Sequence, residues 1–221
     1  MLSPTVITQI QNEFKDLLNE VQLIVFTQEL ECQLCPENLQ LMKEVAETSD
    51  KIKVEVFNFT LDKDKAEHYG IDKIPATIVR STRKDYGIRF YGVPGGYEFP
   101  SFMNAIKMVG TGDSGLMEDI KSQLTTVMKP VHIQVLVTPS CPYCAAAVKT
   151  AQQFAFECSN IRSDMVEVQE FPQLAMRYNV MAVPKIVINE TTHFEGSQPA
   201  NVFISYILTA IESSANEPKS D

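Results

Sequence analysis

Four of the five cysteines in this 221-residue chain stand in two pairs, Cys32 with Cys35 and Cys141 with Cys144. Two thiols separated by two residues can form a reversible disulfide, bind a metal ion or close a structural disulfide. A structural disulfide is disfavoured because so short a loop removes little entropy from the unfolded chain. Zinc ribbons usually separate their cysteine pairs by roughly 15–20 residues, whereas 105 residues lie between Cys35 and Cys141. The spacing therefore favours dithiol–disulfide exchange without a bound metal.

A repeat of 109 residues relates the two pairs. Cys32 and Cys141 are 109 residues apart, and so are Pro75 and Pro184. The segments that align without a gap at this offset are AEHYGIDKIPATIV (66–79) and AMRYNVMAVPKIVI (175–188). A cysteine pair, a tyrosine and a proline in one register indicate a duplicated domain.

The boundary between the copies is visible in composition. The stretch GTGDSG (110–115) is a Gly/Ser/Asp cluster, which is typical of a linker. We therefore predict an N-terminal domain at 1–112 and a C-terminal domain at 113–221.

The elements that must position the cysteines recur in each half. A strand, VQLIVFT (21–27) or VHIQVLVT (131–138), ends just before each CxxC motif, and a helix over 33–48 or 142–157 follows it. Further strands are predicted at 51–59, 76–80, 163–169 and 185–189. The βαβ portion implies parallel pairing, and the later hairpin adds antiparallel strands. The predicted fold class is α/β, with two tandem domains that are each a mixed β-sheet flanked by helices.

The sequence predicts that the first thiol of the second pair, Cys141, is the more reactive of the two first thiols. Cys141 is expected at the N-cap of its helix, with Pro142 at the first helical position, where the missing N–H of proline costs nothing. Free backbone N–H groups and the helix dipole would lower the pKa of the Cys141 thiol there. Cys144 lies one turn further in. This spacing predicts Cys141 as the attacking sulfur and Cys144 as the resolving one.

The first pair differs in its flanking charges. Glu29 and Glu31 lie close to Cys32, and nearby negative charge opposes a thiolate. We expect Cys32 to be less acidic than Cys141 and its disulfide to be less oxidising.

Each cysteine pair is followed 43 residues later by an Xaa-Pro dipeptide, Ile74-Pro75 or Val183-Pro184. A proline can simply start a strand. A cis bond would instead expose backbone groups beside the sulfur, where an extended substrate could add as a strand. The sequence leaves the isomer open.

These motifs resemble a known family. A strand, a CxxC, a helix and then Ile-Pro or Val-Pro before a strand is similar to the thioredoxin fold. Two copies, with CQxC in the first and CPYC in the second, resemble the glutaredoxin-like protein disulfide oxidoreductases of thermophilic archaea and bacteria over nearly the whole chain.

The resemblance implies site residues and partners. Implied nucleophiles are Cys32 and Cys141, implied resolving residues Cys35 and Cys144, and implied cis prolines Pro75 and Pro184. Together with these prolines, the preceding residues Ile74 and Val183, and Tyr143 between the cysteines of the second pair, are the candidate substrate-binding residues. The implied activity is reduction, formation or isomerisation of protein disulfides. No cofactor is expected to be bound, and electrons would come from an NADPH-linked flavoprotein similar to thioredoxin reductase.

One departure from thioredoxins concerns a carboxylate. Thioredoxins place a buried carboxylate on the strand before the CxxC, and LIVFT and QVLVT carry none. Glu55 and Glu167, on the neighbouring strands, are candidate proton acceptors for the resolving cysteines. Both are equally compatible with solvated strand residues.

Composition narrows the partners. The net charge of −9 argues against nucleic acid, which requires basic patches. The apolar runs are too short for a membrane span and the N-terminus does not read as a signal peptide, so a cytoplasmic location is expected. Two alternatives remain: an electron-relay module of a peroxide-reducing system, disfavoured by Cys32 and Cys35, and a redox-silent, chaperone-like protein that binds peptides.

Overall fold

The computed structural model describes residues 2–216, in which the two halves share one order of strands. The first half contains α1 (Pro4–Glu13), β1 (Val21–Thr27), α2 (Cys35–Ala46), β2 (Ile52–Asn58), α3 (Lys63–Tyr69), β3 (Ala76–Ser81), β4 (Ile88–Tyr91), a 3₁₀ turn (Gly96–Glu98) and α4 (Phe99–Thr111). The second half contains α5 (Glu118–Leu124), β5 (Val131–Val137), α6 (Cys144–Glu157), β6 (Ile161–Glu167), α7 (Pro172–Arg177), β7 (Lys185–Ile188), β8 (Thr192–Glu195) and α8 (Ala200–Asn216). None of these helices is long and apolar enough to cross a membrane.

Each half contributes four strands to a mixed sheet. The strand order is β2-β1-β3-β4 in the first half and β6-β5-β7-β8 in the second. The two strands that flank each CxxC helix are parallel, and the strands after the Xaa-Pro are antiparallel. The predicted α/β fold class of two thioredoxin-like units is confirmed.

The two four-stranded sheets join into one. Strand β4 pairs in parallel with β6, from Ile88 opposite Ser163 to Tyr91 opposite Val166. The resulting sheet has the order β2-β1-β3-β4-β6-β5-β7-β8, in which β1 and β5 run in the same direction. Their carboxyl ends, where the cysteines follow, therefore lie at the same edge. Four strand spacings separate them, which is about 19 Å at the usual spacing.

Side-chain alternation along the strands builds a core on each face of this sheet. Val21, Leu23 and Val25 of β1 contribute to the core beneath α1, α2, α4, α6 and α8, whereas Ile24 and Phe26 contribute to the core beneath α3 and α7. Successive strand residues point to opposite faces, so a continuous apolar run is what a strand covered on both faces requires. Both cores contain residues from both halves.

The predicted domain boundary falls at the end of α4. Gly112 caps this helix with φ 76°, a left-handed conformation that glycine adopts without strain. Residues 113–117 then lead to α5. Because the sheet and both cores continue across this point, the division into domains at 1–112 and 113–221 stays a prediction.

Candidate redox-active site

Both CxxC pairs are closed as disulfides, with Cα–Cα distances of 5.4 Å for Cys32–Cys35 and 5.5 Å for Cys141–Cys144. In each pair the first cysteine is the more exposed, at 9% for Cys32 and 7% for Cys141, against 0% for both second cysteines. An incoming thiolate therefore meets the first sulfur of each pair. This order of exposure supports the predicted division into attacking and resolving cysteines.

The two CxxC helices begin at the second cysteine, at Cys35 for α2 and at Cys144 for α6. The prediction of Cys141 as the N-cap, with Pro142 as the first helical residue, is therefore wrong, because Tyr143 is the N-cap. The N–H of Cys144 donates to the carbonyl of Cys141, three residues earlier, at 3.4 Å. This bond closes a turn before the helical pattern of bonds four residues apart begins. Cys141 lies just outside the N-terminal end of α6.

The Ile74–Pro75 and Val183–Pro184 bonds are both cis, as the family resemblance implies. The carbonyl of Val183 lies 3.6 Å from Sγ of Cys141, within the range in which a reduced thiol would donate to it. The carbonyls of Pro75 and Pro184 are engaged in the sheet and accept the N–H groups of Gly92 and Gly196 at 2.9 and 2.8 Å.

Two exposed apolar side chains belong to the segments that form the second site. Tyr143, between the two cysteines, is 71% exposed, and Met181, two residues before Val183, is 82% exposed. Exposed apolar side chains of this size, in the segments that carry the reactive sulfur and the cis-proline, are suited to contact with a protein partner.

The first disulfide lies in a cleft of about 550 Å³ between the halves. Cys32, Ile74 and Pro75 line it from the first half, and Pro139, Glu167, Gln169 and Glu170 line it from the second. Glu31 and Glu37 add two further acidic side chains, and no lysine, arginine or histidine lines the cleft among the described residues. The surroundings of the first disulfide are thus acidic, and part of them comes from the other half.

The two predicted proton acceptors occupy different settings. Glu55 is exposed on β2 and accepts a hydrogen bond from the side chain of Gln22 at 2.6 Å. Glu167 is buried at the end of β6, where burial raises its pKa, and its oxygens accept the N–H groups of Gln169 and Glu170 at 3.0 and 2.8 Å. Glu167, although it belongs to the second half, lines the cleft of the first disulfide. The proton-transfer roles of both residues stay predictions.

A third carboxylate, that of Glu98, was not predicted from the sequence. It is 1% exposed, and neither of its oxygens accepts a hydrogen bond of good geometry from the described part of the chain. Burial raises its pKa to about 7, and the nearby Ser101 hydroxyl opposes this only in part. Its 3₁₀ turn packs against α6, the helix that begins with Cys144. The turn that carries this first-half carboxylate thus lies against the helix that begins with Cys144.

A fourth carboxylate, that of Glu170, lies in the cleft of the first disulfide. Burial, followed by the charges of Glu167 and Glu37, raises its pKa to about 7. Neither Glu98 nor Glu170 has an acidic counterpart at the 109-residue offset, where Ile207 and Leu61 stand. A search for features shared by the two copies therefore could not find them.

Other reactive side chains lie away from the two disulfides. Cys158 is free and buried at the far end of α6, with Sγ 3.8 Å from the carbonyl of Val127. Within residues 2–216, no three His, Cys, Asp or Glu side chains converge in the way that a metal ion requires. The redox-active groups of the described chain are its two disulfides.

The second half of the chain is similar to known thioredoxins. Residues 131–209 match the family model of the thioredoxin domain. The chain is 36% identical over 81 residues to the thioredoxin of Methanocaldococcus jannaschii, which covers 36% of this chain and 95% of that protein.

Two solved structures resemble nearly the whole chain. The protein disulfide oxidoreductase from Aeropyrum pernix K1 has a TM-score of 0.89 and 31% identity, over 96% of this chain and 95% of that one. The NTD_N/C domain of alkylhydroperoxide reductase from Enterococcus faecalis has a TM-score of 0.88 and 24% identity, over 94% and 100%. The second likeness shows the fold alone.

Longer proteins carry a matching segment. An alkyl hydroperoxide reductase of Escherichia coli is 24% identical over 217 residues, which is 98% of this chain and 39% of that protein. An NADH dehydrogenase of Bacillus subtilis is 26% identical over 151 residues, which is 68% of this chain and 27% of that protein. The chain thus spans only a minor part of these two relatives.

Proposed function

The chain belongs to the family of protein disulfide oxidoreductases, and from this premise we propose that both of its CxxC pairs exchange electrons with protein dithiols and disulfides. That the chain is a dithiol–disulfide oxidoreductase follows from the family and the two disulfides. The observation that carries the proposal is a disulfide with one accessible sulfur, at a helix start and beside a cis-proline, found twice in one chain.

The geometry supports a two-step exchange. The thiolate of Cys141 attacks a substrate disulfide, one substrate sulfur leaves, and a mixed disulfide forms. Cys144, sheltered behind it, then attacks Sγ of Cys141 and releases the second substrate sulfur. Two electrons pass from the dithiol to the substrate, and Cys32 and Cys35 do the same at the first site. The opposite direction uses the same steps in reverse.

Substrate binding is proposed at the cis-proline segments. The residue before each cis-proline, Ile74 or Val183, lies beside the redox pair, and an extended peptide could add there as a strand. Tyr143 would contact the partner at the second site because it is exposed between the two cysteines.

Glu98 is proposed as the proton acceptor at the second site. The resolving thiol of Cys144 must lose a proton before it can attack, and an acceptor works best when its pKa is near the working pH. The pKa of Glu98, raised by burial to about 7, meets that requirement. The packing of its turn against α6 supports the assignment.

The two pairs are proposed to have different reduction potentials. The acidic cleft around Cys32 disfavours a thiolate and so makes the first disulfide the weaker oxidant. Electrons would then pass from the first pair to the second. Direct exchange requires sulfur contact, yet about 19 Å of sheet separates the pairs. A partner dithiol would therefore carry electrons between them.

The electron donor is proposed to be an NADPH-linked flavoprotein similar to thioredoxin reductase, acting in the cytoplasm. Support comes from the relatives called alkyl hydroperoxide reductase and NADH dehydrogenase, which hold a matching segment within longer chains. Isomerisation of protein disulfides is a further proposed activity.

Insulin reduction, with dithiothreitol as electron donor, tests the proposal. The wild type should accelerate precipitation of insulin, Cys32→Ser and Cys141→Ser should each reduce the rate, and the double variant should fall to background. Cys158→Ser is the matched control, since Cys158 is buried outside both sites. Full activity in both single variants and in their combination would show that the two pairs are redox-silent toward proteins.

A further inference from the structure

We propose that Glu170, which belongs to the second half of the chain, is the proton acceptor for Cys32 in the first half. The inference rests on the proposed function of the first pair and names the group that serves it. It also implies that neither half is complete, because each CxxC pair would depend on a carboxylate from the other half.

Glu170 is held in the cleft by a specific contact. Its Oε1 accepts the N–H of Val93 at 2.7 Å, and Val93 lines the same cleft as Cys32 and Pro75. Its Oε2 is buried and has no hydrogen-bond partner in the described part of the chain. One oxygen thus anchors the carboxylate, and the other remains free to take a proton.

Gly92 leaves the space that Glu170 occupies. Its φ of 93° is one that other residues rarely adopt, and a Cβ on it would lie 2.8 Å from Oε1 of Glu170 and 2.8 Å from Cβ of Glu167. Any larger residue would displace the carboxylate. The β4–β6 pairing and the missing side chain at Gly92 together admit Glu170 to the first site.

The turn that carries Glu170 is fixed by Glu167. The carboxylate of Glu167 accepts the backbone N–H groups of Gln169 and Glu170, so both of its oxygens are engaged. Glu167 is therefore a positioning residue here, and the unengaged oxygen belongs to Glu170.

Among the described residues that line this cleft, the charged groups around Glu170 are acidic. They are Glu167 on its own turn, Glu37 at the first turn of α2, and Glu31 before Cys32. Burial and these neighbours favour the protonated form, which brings the pKa of Glu170 to about 7. A group with this pKa can take and release a proton near neutral pH.

The proposed step moves one proton from Cys32 to Glu170 and then to the departing substrate sulfur. The proton of the Cys32 thiol passes to the carboxylate of Glu170 as Sγ attacks a substrate disulfide. A bond forms between Cys32 and one substrate sulfur, and the substrate S–S bond breaks. The departing sulfur keeps the bonding electrons and takes the proton from Glu170, which restores the carboxylate.

The effect of Glu170→Gln on the rate of Cys32 attack distinguishes a proton acceptor from a charge that only repels the thiolate. If Glu170 only repelled a thiolate, Glu170→Gln would lower the pKa of Cys32 and accelerate its attack at pH 7. If Glu170 is the proton acceptor, Glu170→Gln should slow the attack at least about tenfold. Glu37→Gln removes the same charge from the same cleft and should not slow it.

The test uses the full chain with Cys141→Ser and Cys144→Ser, in which only the first pair can react. The reduced protein is mixed with insulin between pH 5 and 9, and the reaction is followed by acid quench, alkylation and mass spectrometry, since the chain has no tryptophan to report it. Glu170→Gln should slow single-turnover attack at least tenfold at pH 7 and move the pH midpoint of the rate upward. Gly92→Ala, which displaces the carboxylate without a change of charge, should also slow it.

Three results decide the outcome. If Glu170→Gln and Glu37→Gln both react at a rate equal to or above that of their parent, the role of Glu170 is overturned. The proposed function of the first pair is not affected by this result. A parent that does not react with insulin shows that the first pair is not redox-active toward proteins, which removes the proposed function of that pair and the inference with it. Unchanged activity of Glu170→Gln in a chain with Cys32→Ser and Cys35→Ser, in which only the second pair can react, excludes misfolding as the cause of a loss.

Discussion

Tyr91 at the end of β4 pairs with Val166 at the end of β6, and this pairing brings together the residues that follow both strands. Gly92 and Val93 thereby meet Glu167 and Glu170 from the other half. The cleft of the first disulfide is built at this junction, so the join between the halves is also part of a redox site.

Glu98→Gln should make the stability of the protein less sensitive to pH. The pKa of Glu98 rises on folding from 4.5 to about 7, so the folded state binds the extra proton and the free energy of unfolding falls as pH rises through that interval. The variant should be more stable than the wild type at pH 8 by on the order of 2–3 kcal/mol. Urea unfolding at pH 5 and pH 8 measures this, and Glu13→Gln on the exposed face of α1 is the control.

The same variant should slow the second site. In a chain with Cys32→Ser and Cys35→Ser, Glu98→Gln should reduce insulin reduction at pH 7 by about 10–100-fold, as expected for loss of a proton acceptor. Attack by Cys141 should persist while resolution by Cys144 slows, so mixed disulfide should accumulate. Absence of such accumulation, with an unchanged rate, would contradict the role of Glu98.

Arg162→Met should destabilise the junction between the halves. Arg162 donates to the fully buried Asp164 at 2.8 Å, to the hydroxyl of Tyr91 at 2.6 Å and to the carbonyl of Gly70 at 2.9 Å. Loss of one partner of a buried ion pair costs about 3–5 kcal/mol. Thermal or urea unfolding measures the loss, and addition of Asp164→Asn should recover part of it.

Acid should weaken the same cluster. Hydrogen bonds and charge from His132 and Arg162 hold the pKa of Asp164 far below 3.8, against the cost of its burial. Its contribution to stability is therefore present above pH 3.8 and is lost only as pH falls well below that value. Asp164→Asn should flatten the fall in unfolding free energy below pH 4, and a parallel fall in both proteins would assign it to other groups.

Tyr143→Ala and Met181→Ala should weaken the binding of protein substrates at the second site, and should have little effect on small disulfides. Both side chains are exposed, Tyr143 between the two cysteines and Met181 two residues before Val183, and an interface contact of this type contributes about 1–2 kcal/mol. KM for insulin should rise about 5–30-fold while the rate with a small disulfide such as oxidised dithiothreitol changes little. Met128→Ala is the control, because Met128 is equally exposed but precedes β5, at the opposite edge of the sheet.

The Cys32 thiol should titrate at higher pH than the Cys141 thiol. Cys32 and Cys141 both lie just before the N-terminal end of their helices, so the acidic side chains around the first site are expected to set the difference. Thiolate absorbance at 240 nm in Cys35→Ser and Cys144→Ser variants measures the two midpoints. A lower midpoint for Cys32 would reverse the proposed order of potentials.

Local spacing was sufficient to predict the repeat, the CxxC positions and the main strands. The strand predicted at 21–27 spans Val21–Thr27, and that at 131–138 spans Val131–Val137. Such features depend on alternation and turn residues within a few positions, and these are visible in the sequence. The helix start was misplaced because the turn through Pro142 and Tyr143 is closed by a bond that the residue pattern does not reveal.

The sequence by itself determined two thioredoxin-like units, each with a CxxC followed by an Xaa-Pro. Only the tertiary structure decided how the units complete one another. The β4–β6 pairing and the placement of Glu98 and Glu170 join residues that belong to different copies and have no counterpart at the repeat offset. Contacts of this kind depend on how the two halves join along β4 and β6, and burial raises the pKa of both glutamates to about 7.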